Sequence, residues 1–423
     1  METRTETVEA SVALILEYIL HLYRFETICI LRLLDANLRR RVRTRREMPV
    51  KPSTLIDRMP MQVRHMHRLV GITDFDCLDN LRMDRNTFGG LCQLLKHVGG
   101  LKDGRFVLVE EQIAMFLEIL AHHRKHRIVK FDFWRSGQTV SNYVHRVLRS
   151  ILKLNALVTV KPDPVTTDSV DPRWKWFKGC LGALDETYIS MLVLNVDKPR
   201  YRTRKGKIAT NTLAVCDRYM RFVYVLLGWE GSAADSRVLR DAINRVHGLR
   251  VPKGNFYLCD NGYANSEGFL SPYKTVCYHL KEWGPTASMP QNPKEMFNMR
   301  HTKAHNIIER AFVVLKMRWE ILRSAAFYPV KIQVRLIMAC FLLHNFIRSE
   351  MPTDPIEKEL GFEDCAEYEG HNDGGVEFVD GVEPSTEWNQ KRDDMAQAMW
   401  DHEHVGARRR DVGPGMSLRW RLV

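Results

Sequence analysis

The spacing of apolar residues changes along the chain, and this change limits the fold more than any other feature. From residue 61 to residue 154 the apolar positions recur every three or four residues, which predicts amphipathic helices. From Phe177 to Leu280 they form short runs separated by polar turns, which predicts strands. Helical spacing returns at 235–246 and 302–323. Strands followed by and interleaved with helices predict an α/β fold behind a small helical domain.

The length and the charge blocks divide the chain further. The chain has 423 residues, which is too long for one small module. We predict an N-terminal amphipathic helix and basic linker at 1–60, a helical, DNA-binding domain at 61–165, an α/β domain at 166–350, and an acidic, mostly disordered tail at 351–423. The tail prediction rests on Asp354–Glu383, which holds eleven acidic residues and one basic residue; after it, one helix is expected at 388–400.

Composition excludes several classes of protein. Nine cysteines with no Cys-x-x-Cys pair argue against a disulfide framework or a zinc ribbon, and favour a reduced, intracellular protein. The most apolar stretch, Ala10–Leu34, contains five charged or histidine side chains, so no membrane partner is expected. Six arginines lie between residues 39 and 46 in a chain of net charge +12. They indicate a nuclear-localisation or nucleic-acid arm, or alternatively the solvated end of a helix at 8–46.

Three carboxylates stand out by position. Asp185 follows the apolar run Leu181–Leu184, and Asp260 follows Phe256–Cys259, so each is predicted at the end of a strand. Glu309 falls on the flank of the apolar stripe of the predicted helix. Convergent carboxylates can hold a pair of Mg²⁺ or Mn²⁺ ions about 4 Å apart that activate water and stabilise a leaving oxygen. Turn residues or helix caps are the alternative interpretation.

Six ordered motifs surround these acids. They are Gly182–Thr187, Tyr201–Lys207, Gly231–Leu239, Asp260–Tyr263, Ile308–Phe312 and Leu315–Trp319. Together they resemble the transposases of PIF/Harbinger elements and the host proteins derived from them, over about Phe177–Arg348. The resemblance implies a ribonuclease H-like DDE catalytic domain in which Asp185, Asp260 and Glu309 bind a divalent metal cation, Mg or Mn, and cleave DNA.

The sequence departs from the family pattern beside each acid. Glu186 follows Asp185 where the family has Gly, Asn261 follows Asp260 where a small residue is common, and Val313 replaces a usual Gly. Glu186 could join the metal site or distort it. Two functions therefore stay open: a metal-dependent DNA endonuclease, or a catalytically inactive domesticated transposase that acts as a nuclear DNA- or chromatin-binding scaffold. The resemblance implies DNA and a Myb-like DNA-binding protein or chromatin factors as partners, and a homo-oligomer is a further alternative.

Two basic surfaces are candidates for DNA contact. One is a predicted hairpin that carries Arg202, Arg204, Lys205 and Lys207. The other is the second helix of a predicted helix-turn-helix with its turn at Ser136-Gly137, whose polar face carries Asn142, His145, Arg146 and Arg149. For both surfaces, simple solvation of the charges is the alternative.

The remaining polar residues have structural interpretations. Ser232 and Asp235 have the spacing of a helix capping box, which we favour over a functional role for Asp235. Glu282 and Glu295 compete for the third acid position, but they lie in a Pro- and Gly-rich segment without a helical pattern.

Histidines near the third acid are given structural roles as well. His305 shares the helix flank of Glu309, yet for His305 and His301 a solvent-facing position is favoured over metal binding. His344 and Asn345, in an apolar run, are predicted to be satisfied core residues.

The arginine cluster predicts a nuclear protein. Changing Arg39, Arg40, Arg41, Arg43, Arg45 and Arg46 to Ala in a fluorescent fusion should shift the signal towards the cytoplasm, because import receptors bind clustered positive charge. Live-cell imaging measures this shift. Unchanged nuclear signal would remove the cluster as the import determinant, and a wild-type protein confined to the cytoplasm would contradict nuclear localisation.

Overall fold

A computed structural model of the chain describes Tyr23 and Thr27, both helical, and residues 52–276, 290–351, 353–360 and 377–411. The arginine cluster and nearly all of the helix predicted at 8–46 lie outside the described residues. The prediction of a basic N-terminal arm therefore stays a prediction.

Seven helices form the N-terminal part of the described chain. They are α1 (Pro52–Val70), α2 (Asp74–Leu81), α3 (Arg85–His97), α4 (Val109–His122), α5 (His126–Asp132), α6 (Gly137–Leu152) and α7 (Asn155–Val158). The predicted apolar stripes lie on α4 and α6, and their side chains are buried. The helical character of this region is confirmed, and α1 crosses residue 60, where the sequence suggested a boundary.

Five strands form one mixed sheet in the second half of the chain. They are β1 (Cys180–Ser190), β2 (Ala209–Cys216), β3 (Phe222–Glu230), β4 (Phe256–Leu258) and β5 (Phe269–Leu270), with a short helix α8 (Lys198–Tyr201) between β1 and β2. The order across the sheet is β3-β2-β1-β4-β5. β1 is antiparallel to β2 and parallel to β4. The mixed α/β class predicted from the sequence is confirmed.

Helices cover both faces of this sheet. They are α9 (Asp235–Asn244), α10 (Pro293–Arg318), α11 (Val330–Glu350), α12 (Pro355–Glu359) and α13 (Thr386–Asp411). Ala183 of β1 belongs to the apolar cluster that includes α10, whereas Leu184 belongs to the cluster that includes α9. Because successive strand residues point to opposite faces, odd-numbered residues of β1 from Ala183 onward face α10 and even-numbered residues face α9.

The C-terminal segment differs from the disordered tail that the sequence suggested. Helix α13 contains the predicted helix at 388–400 and packs against α10, with Trp388, Ala396 and Met399 buried. The Tyr273 hydroxyl donates to Asp393 Oδ1 at 2.5 Å. The acidic run on which the disorder prediction rested lies largely outside the described residues, whereas the helix expected at 388–400 is confirmed and docks through apolar residues that recur on one face.

One described helix, α11, is long and apolar enough to meet the length and composition criteria for a membrane span. Most of its apolar window is buried inside the fold, where it packs against α6 and β3. Burial of this kind is typical of a core helix.

Candidate active site

Asp185 and Asp260 lie beside each other at one end of two parallel strands. The pairing of β1 with β4 ends at Ala183 and Leu258, and each carboxylate follows two residues later. The prediction that Asp260 follows a strand is confirmed, because β4 ends at Leu258. Neighbouring parallel strands that end together place these two acids at the same edge of the sheet.

The environment of Asp185 differs in one respect from the sequence prediction. Its strand does not stop there: β1 continues to Ser190 and pairs with β2 throughout, with Asp185 opposite Ala214. The apolar run ends at Leu184, because β4 no longer covers that edge of β1 beyond Ala183. Asp185 and Glu186 are therefore less buried than the residues before them, although both still pair with β2. Asp185 is thus held in the middle of a strand, with one edge freed by the end of β4.

A glycine shapes the strand just before Asp185. Gly182 adopts a φ of +147°, and a Cβ at this position would lie 2.0 Å from the Cys216 carbonyl oxygen. The register between β1 and β4 shifts between Cys180 and Gly182. Such bulges change the direction of a strand close to functional sites, and only glycine fits this one.

Helix α10 is bound to β1 on both sides of Glu309. The His305 ring donates from Nε2 to the Leu184 carbonyl at 3.0 Å. Lys316 donates from Nζ to Thr187 Oγ1 at 2.5 Å. These two contacts fix the exposed Glu309 on the part of α10 that crosses β1 next to Asp185.

The histidines on α10 correct a sequence prediction. His301 and His305 were expected to face solvent, but both are buried. His301 donates from Nε2 to the Leu270 carbonyl at 3.0 Å, and burial lowers the pKa of its ring to about 3. The prediction was wrong because α10 begins at Pro293 rather than near residue 302. Its N-terminal half also packs over the sheet, and this packing buries both histidines.

The paired aspartates have perturbed acidities. Burial raises the pKa of Asp185 to about 6, the nearby His305 opposes the rise, and the charges of Asp260 and Glu309 add to it. Burial also raises the pKa of Asp260, while the Gly262 N–H that donates to its Oδ1 at 2.8 Å lowers it. Both acids favour the neutral form more than a solvated aspartate does, chiefly because burial penalises the charged form, and neighbouring acids add to the effect.

Glu186 takes no part in this pair, because it points to the other face of β1. Its Oε1 accepts from the Tyr263 hydroxyl at 2.5 Å, and its carboxyl shares a hydrogen bond with Asp235. Burial, and then the bond with Asp235, raise the pKa of Glu186 to about 9. At neutral pH Glu186 is therefore protonated and donates to Asp235.

Asp235 is the residue that sequence reasoning missed. The capping-box prediction is wrong: the N-cap of α9 is Ala234, which makes no side-chain cap bond, and the Ser232 hydroxyl donates to the Arg200 carbonyl at 2.8 Å. A Cβ built on Gly262 would lie 3.0 Å from both Asp235 Oδ2 and Asp260 Oδ1. Asp235 therefore lies between Glu186 and Asp260, and the motif Gly231–Leu239 was the available signal for it.

Other acids and polar core residues are explained by structure. Glu295 lies in the first turn of α10, where its Oε1 accepts from the Asn292 side chain at 2.9 Å, so it is a capping residue. Glu282 lies outside the described residues. His344 and Asn345 are buried as predicted: the His344 ring donates to the Met220 carbonyl, and Asn345 bonds to the backbone of Phe222.

The basic hairpin predicted next to the site exists. Arg202 pairs with Ile208 across it, the Thr203 N–H donates to the Lys207 carbonyl at 2.8 Å, and Gly206 forms its turn at a φ of +78°. All four basic side chains predicted for DNA contact, Arg202, Arg204, Lys205 and Lys207, are exposed. Burial raises the pKa of Tyr188, and the charge of Arg204 opposes the rise, which places the hairpin near the end of β1.

The predicted helix-turn-helix segment forms a short helix, a turn and a longer helix. Ser136 caps α6 by accepting from the Thr139 N–H at 3.1 Å. Asn142, Arg146 and Arg149 are exposed on α6, as predicted. DNA recognition by this helix stays a prediction.

Comparison with known proteins identifies the family that the sheet-containing part of the chain matches. Residues 190–345 match the family described as DDE superfamily endonuclease, and residues 63–153 match a domain of unknown function. The chain carries a DDE superfamily endonuclease domain. The resemblance deduced from the motifs is thus confirmed, and such a domain implies a ribonuclease H-like fold.

Relatives of this chain include plant and animal proteins. Protein ALP1-like of Arabidopsis thaliana is 26% identical over 305 residues, which cover 66% of this chain and 72% of that protein. Antagonist of like heterochromatin protein 1, also from Arabidopsis thaliana, is 25% identical over 70% of this chain and 76% of its own length. Homo sapiens HARBI1, provisionally named a nuclease, is 27% identical over 40% of this chain and 45% of its own length. No solved structure matches the chain.

DDE superfamily endonucleases generally use divalent metal ions, so the fit of the side chains matters. Asp185 and Asp260 offer the hard carboxylate oxygens that Mg²⁺ and Mn²⁺ prefer, at neighbouring positions where the pairing of β1 with β4 ends. Within the described ranges, however, no three His, Cys, Asp or Glu side chains lie close enough to form a metal site. Asp185 and Asp260 can therefore supply two carboxylate ligands, whereas the exposed Glu309 is not grouped closely enough with them to count as a third.

The buried Glu186 predicts a pH-dependent stability. Its pKa is raised above the unfolded value, so its contribution is present at low pH and is lost as pH rises towards about 9. Glu186→Gln keeps both hydrogen bonds without the ionisable proton. In urea unfolding from pH 5 to pH 9, the variant should lose less stability with rising pH than the wild type.

The comparison variant is Glu118→Gln. Glu118 is also buried, but its pKa is raised only to about 7, so its substitution should change the profile mainly below that pH. Identical slopes for wild type and Glu186→Gln above pH 7 would show that Glu186 is already ionised there.

Proposed function

We propose that this protein is a divalent-metal-dependent DNA endonuclease, derived from a transposase, that cleaves phosphodiester bonds. The observation that carries the proposal is the placement of Asp185 and Asp260 at one edge of β1 and β4. Asp260 lies within the residues that match the DDE superfamily endonuclease family, and Asp185 lies five residues before their start at residue 190. Glu309 completes the acid set from α10. The family assignment supports nuclease chemistry, and the geometry supports these residues as its ligands.

In this proposal Asp185 and Asp260 hold the Mg²⁺ or Mn²⁺ ion, with Glu309 reaching it from the flank. Bound there, the cation would activate water and stabilise the leaving oxygen. The rest of the site prepares these acids: the Gly262 N–H fixes the Asp260 carboxylate, and the His305 bond to Leu184 holds the helix of Glu309 against β1. Preorganisation of this kind removes rearrangement from the reaction itself.

DNA would be held by positive charge beside the acids. Arg202, Arg204, Lys205 and Lys207 project from the exposed hairpin near the end of β1, where they can contact phosphates. Asn142, Arg146 and Arg149 on α6 would contribute contacts that depend on base sequence. A nuclear location and chromatin or Myb-like partners belong to the same proposal. For chromatin factors alone, support comes from the name of the Arabidopsis relative, which describes that protein as an antagonist of like heterochromatin protein.

A scaffold without catalysis is the second candidate. It is favoured by the exposed position of Glu309 and by the lack of any group of three metal-binding side chains among the described residues. Such a protein would bind DNA or chromatin in the nucleus through the same basic surfaces and cleave nothing.

Nicking of supercoiled plasmid in Mn²⁺ or Mg²⁺ separates the two candidates. The wild type should nick, and Asp185→Asn should reduce the rate by about 100-fold or more, because it removes a charged ligand at nearly constant shape. Its affinity for DNA should be unchanged. A folded wild-type protein that binds DNA without nicking it in either metal would establish the scaffold.

Two control variants complete this design. Glu186→Gln should keep its activity, since Glu186 faces α9 rather than the aspartate pair. The triple variant Arg202→Ala, Arg204→Ala, Lys205→Ala should weaken binding to every sequence and reduce the salt slope by about one unit for each lost phosphate contact. DNA binding that does not respond to salt would contradict the phosphate contacts.

A further inference from the structure

The outer edge of the sheet is open along β3. This strand is the last in the sheet and pairs only with β2. At its first residue the outer side is occupied by a side chain: the Phe222 N–H donates to Asn345 Oδ1 at 2.7 Å, and Asn345 Nδ2 donates to the Phe222 carbonyl at 2.7 Å. The Asn345 amide thus imitates one peptide unit of an additional strand.

Beyond this amide the edge has no partner in the described part of the chain. Between Val223 and Gly228, hydrogen bonds of the β3 backbone go only to β2. Edges of this kind are usually covered or protected by charge, because their free N–H and C=O groups can accept a further strand. The outer side of β3 can therefore accept a further strand, and among the described residues only Phe222 is hydrogen-bonded there.

A groove of about 1060 Å³ runs beside this edge. Its other walls are the segment 159–164, the loop 245–255 and one side of α11. Val225 and Leu227 from the strand, with Val334 and Met338 from α11, give it a half-buried apolar floor. The volume lies at the upper end of the range for ligand pockets, which suits a short chain segment better than a small molecule.

The groove is distant from the candidate active site. It is lined by Leu181 and Tyr257, at the beginning of β1 and β4, whereas Asp185 and Asp260 follow the other end of that pairing. A ligand in the groove would leave the acids accessible.

Positive charge lines this groove. Five Lys or Arg side chains contribute to it, Lys161, Arg245, Arg250, Lys253 and Arg335, against one acid, Asp163. Arg245 pairs with Asp241 at 2.7 Å, and Lys253 pairs with Glu377 at 3.0 Å. Arg250 and Arg335 have no acidic partner among the described residues, so their charge is available to a ligand.

We propose that this groove binds an extended, acidic peptide segment of a partner protein, which adds to β3 as a sixth strand. Backbone hydrogen bonds to the β3 edge would supply affinity, alternate apolar side chains would enter the floor, and the acidic side chains between them would face Arg250 and Arg335. The Asn345 amide marks the end of the added strand.

Other occupants fit the groove less well. Duplex DNA would match the charge, but it has no peptide groups for the strand edge and no apolar side chains for the floor. A second copy of the chain, joined edge to edge, would bring Arg250 and Arg335 of both copies together, and like charges across an interface are unfavourable.

The test uses a synthetic peptide and the full-length protein. The probe is a fluorescein-labelled octapeptide of four Glu-Val repeats, and its binding is followed by fluorescence anisotropy. We expect saturable binding, with slower hydrogen exchange of backbone amides between Val223 and Gly228. Two control peptides, four Lys-Val repeats and the Glu-Val peptide N-methylated at alternate residues, should bind about tenfold or more weakly, since one reverses the charge and the other loses the backbone donors.

Variants of the protein test the charge independently of the peptide. Arg250→Glu with Arg335→Glu should weaken binding of the Glu-Val peptide by about tenfold or more, whereas the matched reversal of two exposed cations on α5, Arg127→Glu with Lys130→Glu, should not. Circular dichroism and urea unfolding confirm that both variants are folded.

Three results would overturn the proposal. The first is equal binding of the N-methylated peptide, which would show that the strand edge is not used. The second is displacement of the peptide by a duplex oligonucleotide whose own binding depends on Arg250 and Arg335, which would make the groove a DNA surface. The third is a dimer in solution that dissociates on the Arg250 and Arg335 reversal, which would make the occupant a second copy.

Discussion

The sheet-containing half of this protein depends on hydrogen bonding to both edges of β1. On one edge β2 pairs with it as far as Ser190, whereas on the other β4 stops at Leu258. This unequal pairing leaves Asp185 in a rigid strand with one free edge, directly beside Asp260. Helix α10 then adds Glu309, because His305 and Lys316 fasten it to the same strand. If β4 were longer, its pairing would cover the free edge of β1 beside Asp185. If β2 were shorter, Asp185 would lose the pairing that holds it in a strand.

The alternation of side chains along β1 directs Asp185 and Glu186 to opposite faces of the strand, and Asp235 lies between Glu186 and Asp260. Asp185 faces α10, and the negative charge of Asp260 adds to the rise in its pKa that burial causes. Glu186 faces α9 and forms hydrogen bonds with Tyr263 and Asp235. The raised pKa values on both faces show that burial opposes ionisation throughout this end of the sheet. A protonated Glu186 reduces the negative charge there by one. The unusual acid beside Asp185 is thus accommodated as a neutral donor, and it need not disturb the aspartate pair.

Much of this arrangement could be predicted from the sequence. The strand before Asp260, helix α9 and the helical N-terminal region follow from local periodicity, and the order of the motifs indicates the family. Features that depend on distant contacts could not be predicted. The burial of His301 and His305 depends on α10 crossing the sheet, and the role of Asp235 depends on loops that meet in space. The helix at 386–411 was expected over 388–400, but its docking could not be predicted, because Trp388 and Met399 are buried in contacts that no local pattern reveals.

The central claim is that Asp185 and Asp260 form the core of a site for a divalent cation. Isothermal titration of full-length protein with Mn²⁺ at neutral pH tests it most directly, with Asp185→Asn, Asp260→Asn and Glu186→Gln measured alongside. The account predicts saturable binding to the wild type and to Glu186→Gln, and loss of that binding in both aspartate variants. Folded wild-type protein that binds no Mn²⁺, or binding that survives both aspartate substitutions, would contradict it.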